Sequence, residues 1–411
     1  MIRVRGGHPL YGTVTVGGSK NAALPILFAT LFLRGRTTVS RLPDLLDVRV
    51  ALALLSELGA AVTYHDAHTV TVDTTDVRYF AHDEKLTRAL RASTYLLGAE
   101  LCRFGRSHLY DFGGCAFCDR PIDLHLLAIR AFGGEIDGRE VALSHPHPAS
   151  IRFPIPSVGA TVNALYLASS IDGDSILENV ALEPHVLALV ALLRSAGAKI
   201  TLSGNSMRVR GGSLHGASVE IIPDMIEAGT YLFAGLITGG AVTVEGVDLS
   251  HLDATLYALS SMGAEIVRGD GLVRALATRP LVPIDVSATP YPGFPTDLAP
   301  PLGALLASLG GGSITDTVFP RRTGYVEQLA RLGVDYRIEG DTVRFLRPPT
   351  KGGEMCVKDL RGGAAELLLA LATPHPTVLF GCELLHRGYE HFFSTLSSLG
   401  AELSASDFIE Y

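Results

Sequence analysis

The 411-residue chain has few charges, few cysteines and no apolar run long enough to cross a bilayer. Charged residues make up 18% of it and form no block, and no tract is of low complexity, which argues against disorder. The net charge of −8 argues against general nucleic-acid binding, although a local arginine cluster could still hold an anionic substrate. The five cysteines (Cys102, Cys115, Cys118, Cys356, Cys382) are an odd count in a large chain and do not read as a disulfide framework. The longest apolar run, residues 22–33, is about 12 residues long, whereas a spanning helix needs ~20. The opening MIRVRGGHPLYG has no apolar core of a signal peptide. The expectation is a cytosolic protein with no membrane and no nucleic-acid partner.

Glycine is plentiful, at 44 residues, and its placement is periodic. The pattern L-G-A or a near variant recurs six times, with its glycine at Gly59, Gly133, Gly197, Gly263, Gly333 and Gly400, at intervals of 64 to 74 residues. Each copy follows a helix-like apolar run and precedes an alternating, strand-like run. A glycine there ends a helix by adopting a left-handed conformation. The chain therefore reads as six copies of one helix-to-strand unit.

A second set of segments repeats in step. Helices rich in small apolar residues begin near Asn21, Arg91, Gly159, Glu227, Asp297 and Arg361. They are apolar all round, so they are expected to be buried, with polar first turns gathered at one end where helix N-termini suit anions. Within a unit the order reads helix, strand, helix, hairpin. Residues 48–58 form an amphipathic helix after a Pro43–Asp44 start signal, and residues 61–73 form two short strands. The fold class is α/β with mixed sheets packed around buried helices. Three units fall in a domain of residues 20–221, and three in a domain of residues 222–411 completed by residues 1–19. Two crossings, near residues 20 and 222, would make a hinge.

Several residues could carry chemistry. The segment Gly113–His125 holds Cys115 beside Arg120, and an arginine can make a thiolate available. The Cys115-x-x-Cys118 spacing invites a zinc or redox reading. Zinc needs about four ligands, and no second cysteine pair is placed to help. Gly17-Gly18-Ser19-Lys20-Asn21 places a lysine at a helix start after paired glycines, a plausible oxyanion cradle that does not match Walker A. Asp297, Arg322, Asp359, Arg361 and Arg387 are isolated charges in apolar or turn settings. With Lys20, Arg91 and Arg120 they supply a cationic cluster suited to a ligand with both phosphate and carboxylate.

These residues in this order resemble the enolpyruvyl transferases, and among them the UDP-N-acetylglucosamine 1-carboxyvinyltransferase family. The resemblance rests on GGSKNAALP, LRAS, GGC with RPIDLH, PSVGAT, FPTDL, DLR and RGYE, and it spans the whole chain. It implies a two-domain inside-out α/β barrel built from six βαβ-type repeats. It implies transfer of the enolpyruvyl group of phosphoenolpyruvate to a hydroxyl of a uridine nucleotide, with phosphate release and no metal or organic cofactor. In that family this is the first committed step of peptidoglycan synthesis.

By the same resemblance Lys20 contacts phosphoenolpyruvate and Arg387 grips it. Asn21 binds the acceptor sugar, and Arg91, Arg120 and Arg361 organise ligands. Cys115 is the loop thiol that protonates C3 or forms a covalent adduct, and it is the family's fosfomycin target. Asp297 is the general base near the acceptor hydroxyl. Pro121, Asp123, Leu124 and His125 match the uridine site, and Ser157, Val158 and Gly159 match a diphosphate-binding turn. Arg322 closes over the acceptor, and Asp359 joins the substrate-binding set.

The sequence departs from the family pattern at Ile155-Pro156, Leu182, His185, Met225, Pro320, Leu385 and His386. Most of these lie on the acceptor side or in its support, so UMP, the acceptor of related enzymes of peptidyl-nucleoside antibiotic pathways, stands as a second reading. A catalytically silent UDP-sugar-binding regulator stands as a third.

Overall fold

The computed structural model describes residues 1–113 and 120–405. All six repeat glycines have positive φ, from 89° at Gly333 to 116° at Gly197. After the helix Leu46–Glu57, the Gly59 N–H donates to the Ser56 carbonyl at 2.9 Å and the Ala60 N–H to the Leu55 carbonyl at 3.1 Å. This paired closure is available because glycine turns left-handed without a Cβ penalty. The longer of the two bonds recurs from Gly134 to Ile129, Ala198 to Leu193, Ala264 to Leu259 and Ala401 to Leu396. The expected start signal for the helix Leu46–Glu57 is not a cap. Leu45 takes the N-cap position, while Asp44 turns to Arg49 in a two-pronged ion pair with both contacts at 2.7 Å.

The six small-residue helices form where expected. They are α1 (Lys20–Ala29), α2 (Tyr95–Phe104), α3 (Val158–Ser170), α4 (Met225–Ile237), α5 (Ala299–Leu309) and α6 (Leu360–Ala372). Arg91–Thr94 and Thr296–Leu298 are 3₁₀ turns that lead into α2 and α5, so Arg91 and Asp297 sit on tight turns ahead of the α-helices. In α6 residues 360–371 are all buried, and in α3 residues 160–169. Small residues let the helices approach closely. A Cβ at Gly98 of α2 would stand 2.5 Å from Asn163 Oδ1 of α3.

The chain divides into two compact units. The first comprises residues 18–113 with Arg120–Ile222, and the second Met1–Gly17 with residues 223–405. Each unit has its own hydrophobic core, around α1, α2 and α3 in the first and around α4, α5 and α6 in the second.

The repeat holds one strand more than the sequence pattern reveals. Strand Ser150–Arg152 precedes α3 and pairs parallel with Gly173–Glu178 after it, which makes a βαβ unit. The hairpin Lys199–Ser203 and Ser206–Gly211 completes that sheet. Asp285–Ala288 around α5 and Gly353–Cys356 around α6 repeat the plan. Edge strands of three or four residues are too short to show alternation.

At the two crossings the edge strands are exchanged. Tyr11–Thr15 leads to α1 but pairs with Ala241–Glu245, which follows α4. Ser218–Glu220 leads to α4 but pairs with Arg36–Ser40, which follows α1. Strand Ile2–Arg5 lies between Thr377–Phe380 and Glu402–Ala405, antiparallel to both.

The sheet that follows α2 has three strands, Arg106–His108, Glu140–Ala142 and Glu135–Asp137, and the chain ahead of α2 forms the helix Glu84–Ala89. A buried charge cluster holds this region. His82 Nδ1 is 2.8 Å from Glu57 Oε2, His82 Nε2 is 3.0 Å from Glu100 Oε1, and Ser107 donates to Glu100 Oε2 at 2.6 Å. Burial pushes the His82 pKa down, but the hydrogen bonds and charges of Glu100 and then Glu57 outweigh it and raise the pKa above 6.5. A histidine stabilised as a cation contributes fully below its unfolded pKa, and that contribution is lost as pH rises through the higher folded value. The urea midpoint is therefore expected to fall from about pH 6 to about pH 9 by more in the wild type than in His82→Gln. Parallel pH profiles for the two proteins would refute the pairing.

Candidate active site

In the first unit, Lys20 opens α1 and is 8% exposed. Its Nζ lies 3.3 Å from Asp47 Oδ2, in the first turn of Leu46–Glu57, and both side chains are buried. A cation at a positive helix end is unfavourable by itself, and Asp47 compensates it. Asn21 follows, half-buried. Asp47 was not singled out in the sequence because an acidic first-turn residue is ordinary.

Arg91 donates from Nη2 to the Arg120 carbonyl, so the guanidinium ties the turn before α2 to the chain entering Pro121. Helix Asp123–Ala131 then begins, with Pro121 and Asp123 exposed, Leu124 half-buried and His125 buried. His125 and the turn Ser157-Val158-Gly159 come together. A Cβ at Gly159 would be 2.5 Å from His125 Cε1 and 2.6 Å from Nε2, so the ring needs a glycine at this position. Ser157 caps α3 by accepting from the Ala160 N–H at 3.4 Å. Asn163 Nδ2 is 2.9 Å from His125 Nδ1. Burial, and then the Arg91 charge, push the His125 pKa down to about 3, so the ring is neutral at physiological pH. The amide of Asn163, at the middle of a buried helix, was the signal that could have found it.

In the second unit, Asp297 is bound by two buried arginines. Arg361 Nε and Nη2 lie 3.2 and 3.1 Å from Asp297 Oδ2, and Arg322 Nη1 lies 3.2 Å from Oδ1. Arg322 also donates to the Thr296 carbonyl at 3.1 Å, and Thr296 Oγ1 donates to Asp316 at 2.5 Å. Arg361 lies over the Tyr389 ring, 5.3 Å from its centroid. Burial works against the Arg361 charge, but Asp297 and further groups outweigh it and raise its pKa. Asp359, expected among the substrate residues, caps α6 by accepting from the Arg361 and Gly362 N–H groups at 3.1 and 2.9 Å. Arg387 closes the 3₁₀ turn Cys382–Arg387 and is half-exposed.

Glu227 in the first turn of α4 is 8% exposed and accepts from the Gly17 N–H at 2.9 Å. Burial, and then the neighbouring Asp224, push its pKa up to about 8, so it keeps its proton at neutral pH. Cys115 and Cys118 lie outside the described residues.

Each unit thus places cationic groups at the starts of its central helices, and the second adds a carboxylate locked between guanidinium groups. Such parts can hold an anionic ligand and orient a hydroxyl for proton transfer.

The chain is similar over residues 4–396 to the family described as EPSP synthase (3-phosphoshikimate 1-carboxyvinyltransferase). It is 37% identical to the UDP-N-acetylglucosamine 1-carboxyvinyltransferase of Trichlorobacter lovleyi, over 97% of each chain. It is 38% identical to the enzyme of the same name from Chlorobium limicola, over 99% of each chain. Among solved structures, the enolpyruvyl transferase NikO from Streptomyces tendae superposes with a TM-score of 0.89 at 26% identity, over 98% of each chain. An EPSP synthase from Acinetobacter baumannii has a TM-score of 0.76 at 18% identity, covering 99% of this chain and 100% of that one, which speaks for the fold alone.

Proposed function

Because the chain belongs to the EPSP synthase family of 1-carboxyvinyl (enolpyruvyl) transferases, we propose that it transfers the enolpyruvyl group of phosphoenolpyruvate to the 3-hydroxyl of UDP-N-acetylglucosamine. The observation that carries this reading is the identity of 37 to 38% with enzymes of that name, over 97 to 99% of both chains. UMP is the second reading. It is favoured by Ile155, which is 62% exposed just ahead of the turn Ser157–Gly159 and supplies no charge for a second phosphate. The proposed setting is the cytoplasm, in peptidoglycan synthesis under the first reading and in a nucleoside-antibiotic pathway under the second.

The chemistry is an addition and an elimination. The acceptor oxygen bonds to C2 of the enol and loses its proton, and C3 gains one. The C2–O bond to phosphate then breaks as C3 gives up a proton, which restores the double bond and releases phosphate. The first step needs a base at the hydroxyl and an acid at C3. Asp297 is assigned as the base, oriented by Arg322 and Arg361, and Cys115 as the C3 acid or the covalent nucleophile. Lys20 and Arg387 are assigned to phosphoenolpyruvate and the leaving phosphate. Asn21, Pro121, Asp123, Leu124 and His125 are assigned to the acceptor, and Arg91, Arg120 and Arg361 to organising the ligands.

Equal concentrations of UDP-N-acetylglucosamine and UMP in one reaction separate the two readings. The product's mass is expected to be that of UDP-N-acetylglucosamine plus one carboxyvinyl group. Carboxyvinyl-UMP as the main product would replace the first reading with the second.

Cys115 is assigned as the reactive thiol rather than Cys118. Fosfomycin is expected to add once to the wild type and to Cys118→Ala, and not to Cys115→Ala. A label found on Cys118 would overturn the assignment.

A further inference from the structure

Asn163 is fully buried in α3, and its amide orientation is set by a group with only one possible role. The Gly98 N–H can only donate, and it meets Oδ1 at 2.7 Å. Oδ1 therefore faces α2 and Nδ2 faces the other way. The two Nδ2 hydrogens meet three acceptors, His125 Nδ1 at 2.9 Å, the Gly159 carbonyl at 3.1 Å and the Thr94 carbonyl at 3.3 Å. The shortest contact is the one to the ring. His125 Nδ1 must then accept, and a neutral imidazole that accepts on one nitrogen carries its proton on the other.

That other nitrogen, Nε2, lies beside Gly159 at the start of α3, and among the described residues it meets no acceptor. His125 is 6% exposed. An N–H on so covered a ring favours an acceptor, and this one lies where a 13-residue helix begins. Both features ask for an oxygen that only accepts. Arg91, whose charge acts on the ring from the turn before α2, further opposes a second ring proton.

We infer that Asn163 is a positioning residue of the acceptor site, holding His125 as the Nε2–H tautomer so that this N–H donates to a phosphate oxygen of the nucleotide at the start of α3. The inference rests on the uridine-nucleotide reading above. Asn163 touches no substrate and acts through the ring. Gly159 belongs to the same device, since any side chain there would displace His125.

The test is a long-range proton–nitrogen spectrum of the full-length protein with ¹⁵N-histidine, with His125→Gln used to assign the signal. Without ligand, His125 is expected to show the Nε2–H pattern and not to titrate between about pH 5 and about pH 8. Saturating UMP or UDP-N-acetylglucosamine is expected to shift Nε2, and uridine without a phosphate is not. In Asn163→Asp a carboxylate oxygen replaces Nδ2 and demands a proton on Nδ1, so the Nε2–H tautomer is lost or the ring becomes charged. The acceptor KM of that variant is expected to rise about tenfold and to depend on pH, with kcat and the phosphoenolpyruvate KM within about twofold.

A wild-type ring with its proton on Nδ1, or a mixture of tautomers, overturns the inference even if the variant fails to fold. So does an Nε2 signal unmoved by nucleotide, or one moved equally by uridine. An unchanged acceptor KM in Asn163→Asp also overturns it. The tautomer is read without acceptor, so its failure is distinct from that of the uridine-nucleotide reading, which would appear as no turnover with either nucleotide.

Discussion

Arg387→Ala and Lys20→Ala are each expected to lower phosphoenolpyruvate turnover by about 100-fold or more. The substrate is a trianion, and its phosphate leaves with developing charge, so removing a positioned cation acts on the reacting state as well as on binding. Arg387 is the cleaner case, because it is half-exposed on a short turn and its loss opens no core. Lys20 needs a control. Its removal breaks the buried ion pair with Asp47, and breaking such a pair typically costs about 3–5 kcal/mol. The Lys20→Ala assay is therefore to be repeated with Asp47→Asn present, which removes the other charge of the pair. Activity restored in the double variant would mean that Lys20 acts only through stability. Near-normal turnover in both single variants would remove the two residues from the site.

Arg361→Ala is expected to destabilise the protein by about 3–5 kcal/mol and to abolish turnover. Arg361 is 2% exposed, binds Asp297 through two nitrogens and covers the Tyr389 ring. Its loss takes two hydrogen bonds from Asp297, which still pairs with Arg322. The interaction is shared, so Asp297→Ala with Arg361→Ala together should cost less than the sum of the single changes, by about 1–3 kcal/mol. Denaturant midpoints and slopes for the four proteins supply the cycle. Additive losses would show that the two residues act independently and that Arg361 does not orient the carboxylate.

The repeat architecture was legible because two of its signals are local. A left-handed glycine after a helix and a small-residue buried helix each leave a pattern within a dozen residues, and Gly59 and its five equivalents all behave as the pattern implies. What escaped was set by distant pairing. The edge strands Ser218–Glu220 and Asp285–Ala288 are strands only because a parallel neighbour supplies their hydrogen bonds. Asp44 looked like a helix cap in sequence, but Arg49 one turn along captures its carboxylate.

The site divides in the same way. Charges placed at helix starts, such as Lys20, Asp297 and Arg361, stood out in an apolar background. Their partners did not. Asp47, Thr296 and Asp316 are unremarkable polar residues until folding brings them within hydrogen-bond reach. Asp359 was legible as a charge beside Arg361, and the fold gives that charge to the cap of α6. Asn163 becomes meaningful only when the Gly98 N–H fixes its orientation.

The most direct test of the central claim is phosphate release from phosphoenolpyruvate with one acceptor supplied at a time. UDP-N-acetylglucosamine or UMP is expected to support release that depends on the acceptor and disappears in Arg387→Ala, whereas shikimate 3-phosphate is expected to support none. Release with shikimate 3-phosphate and none with either uridine nucleotide would contradict the account and place the protein with the shikimate branch of its family.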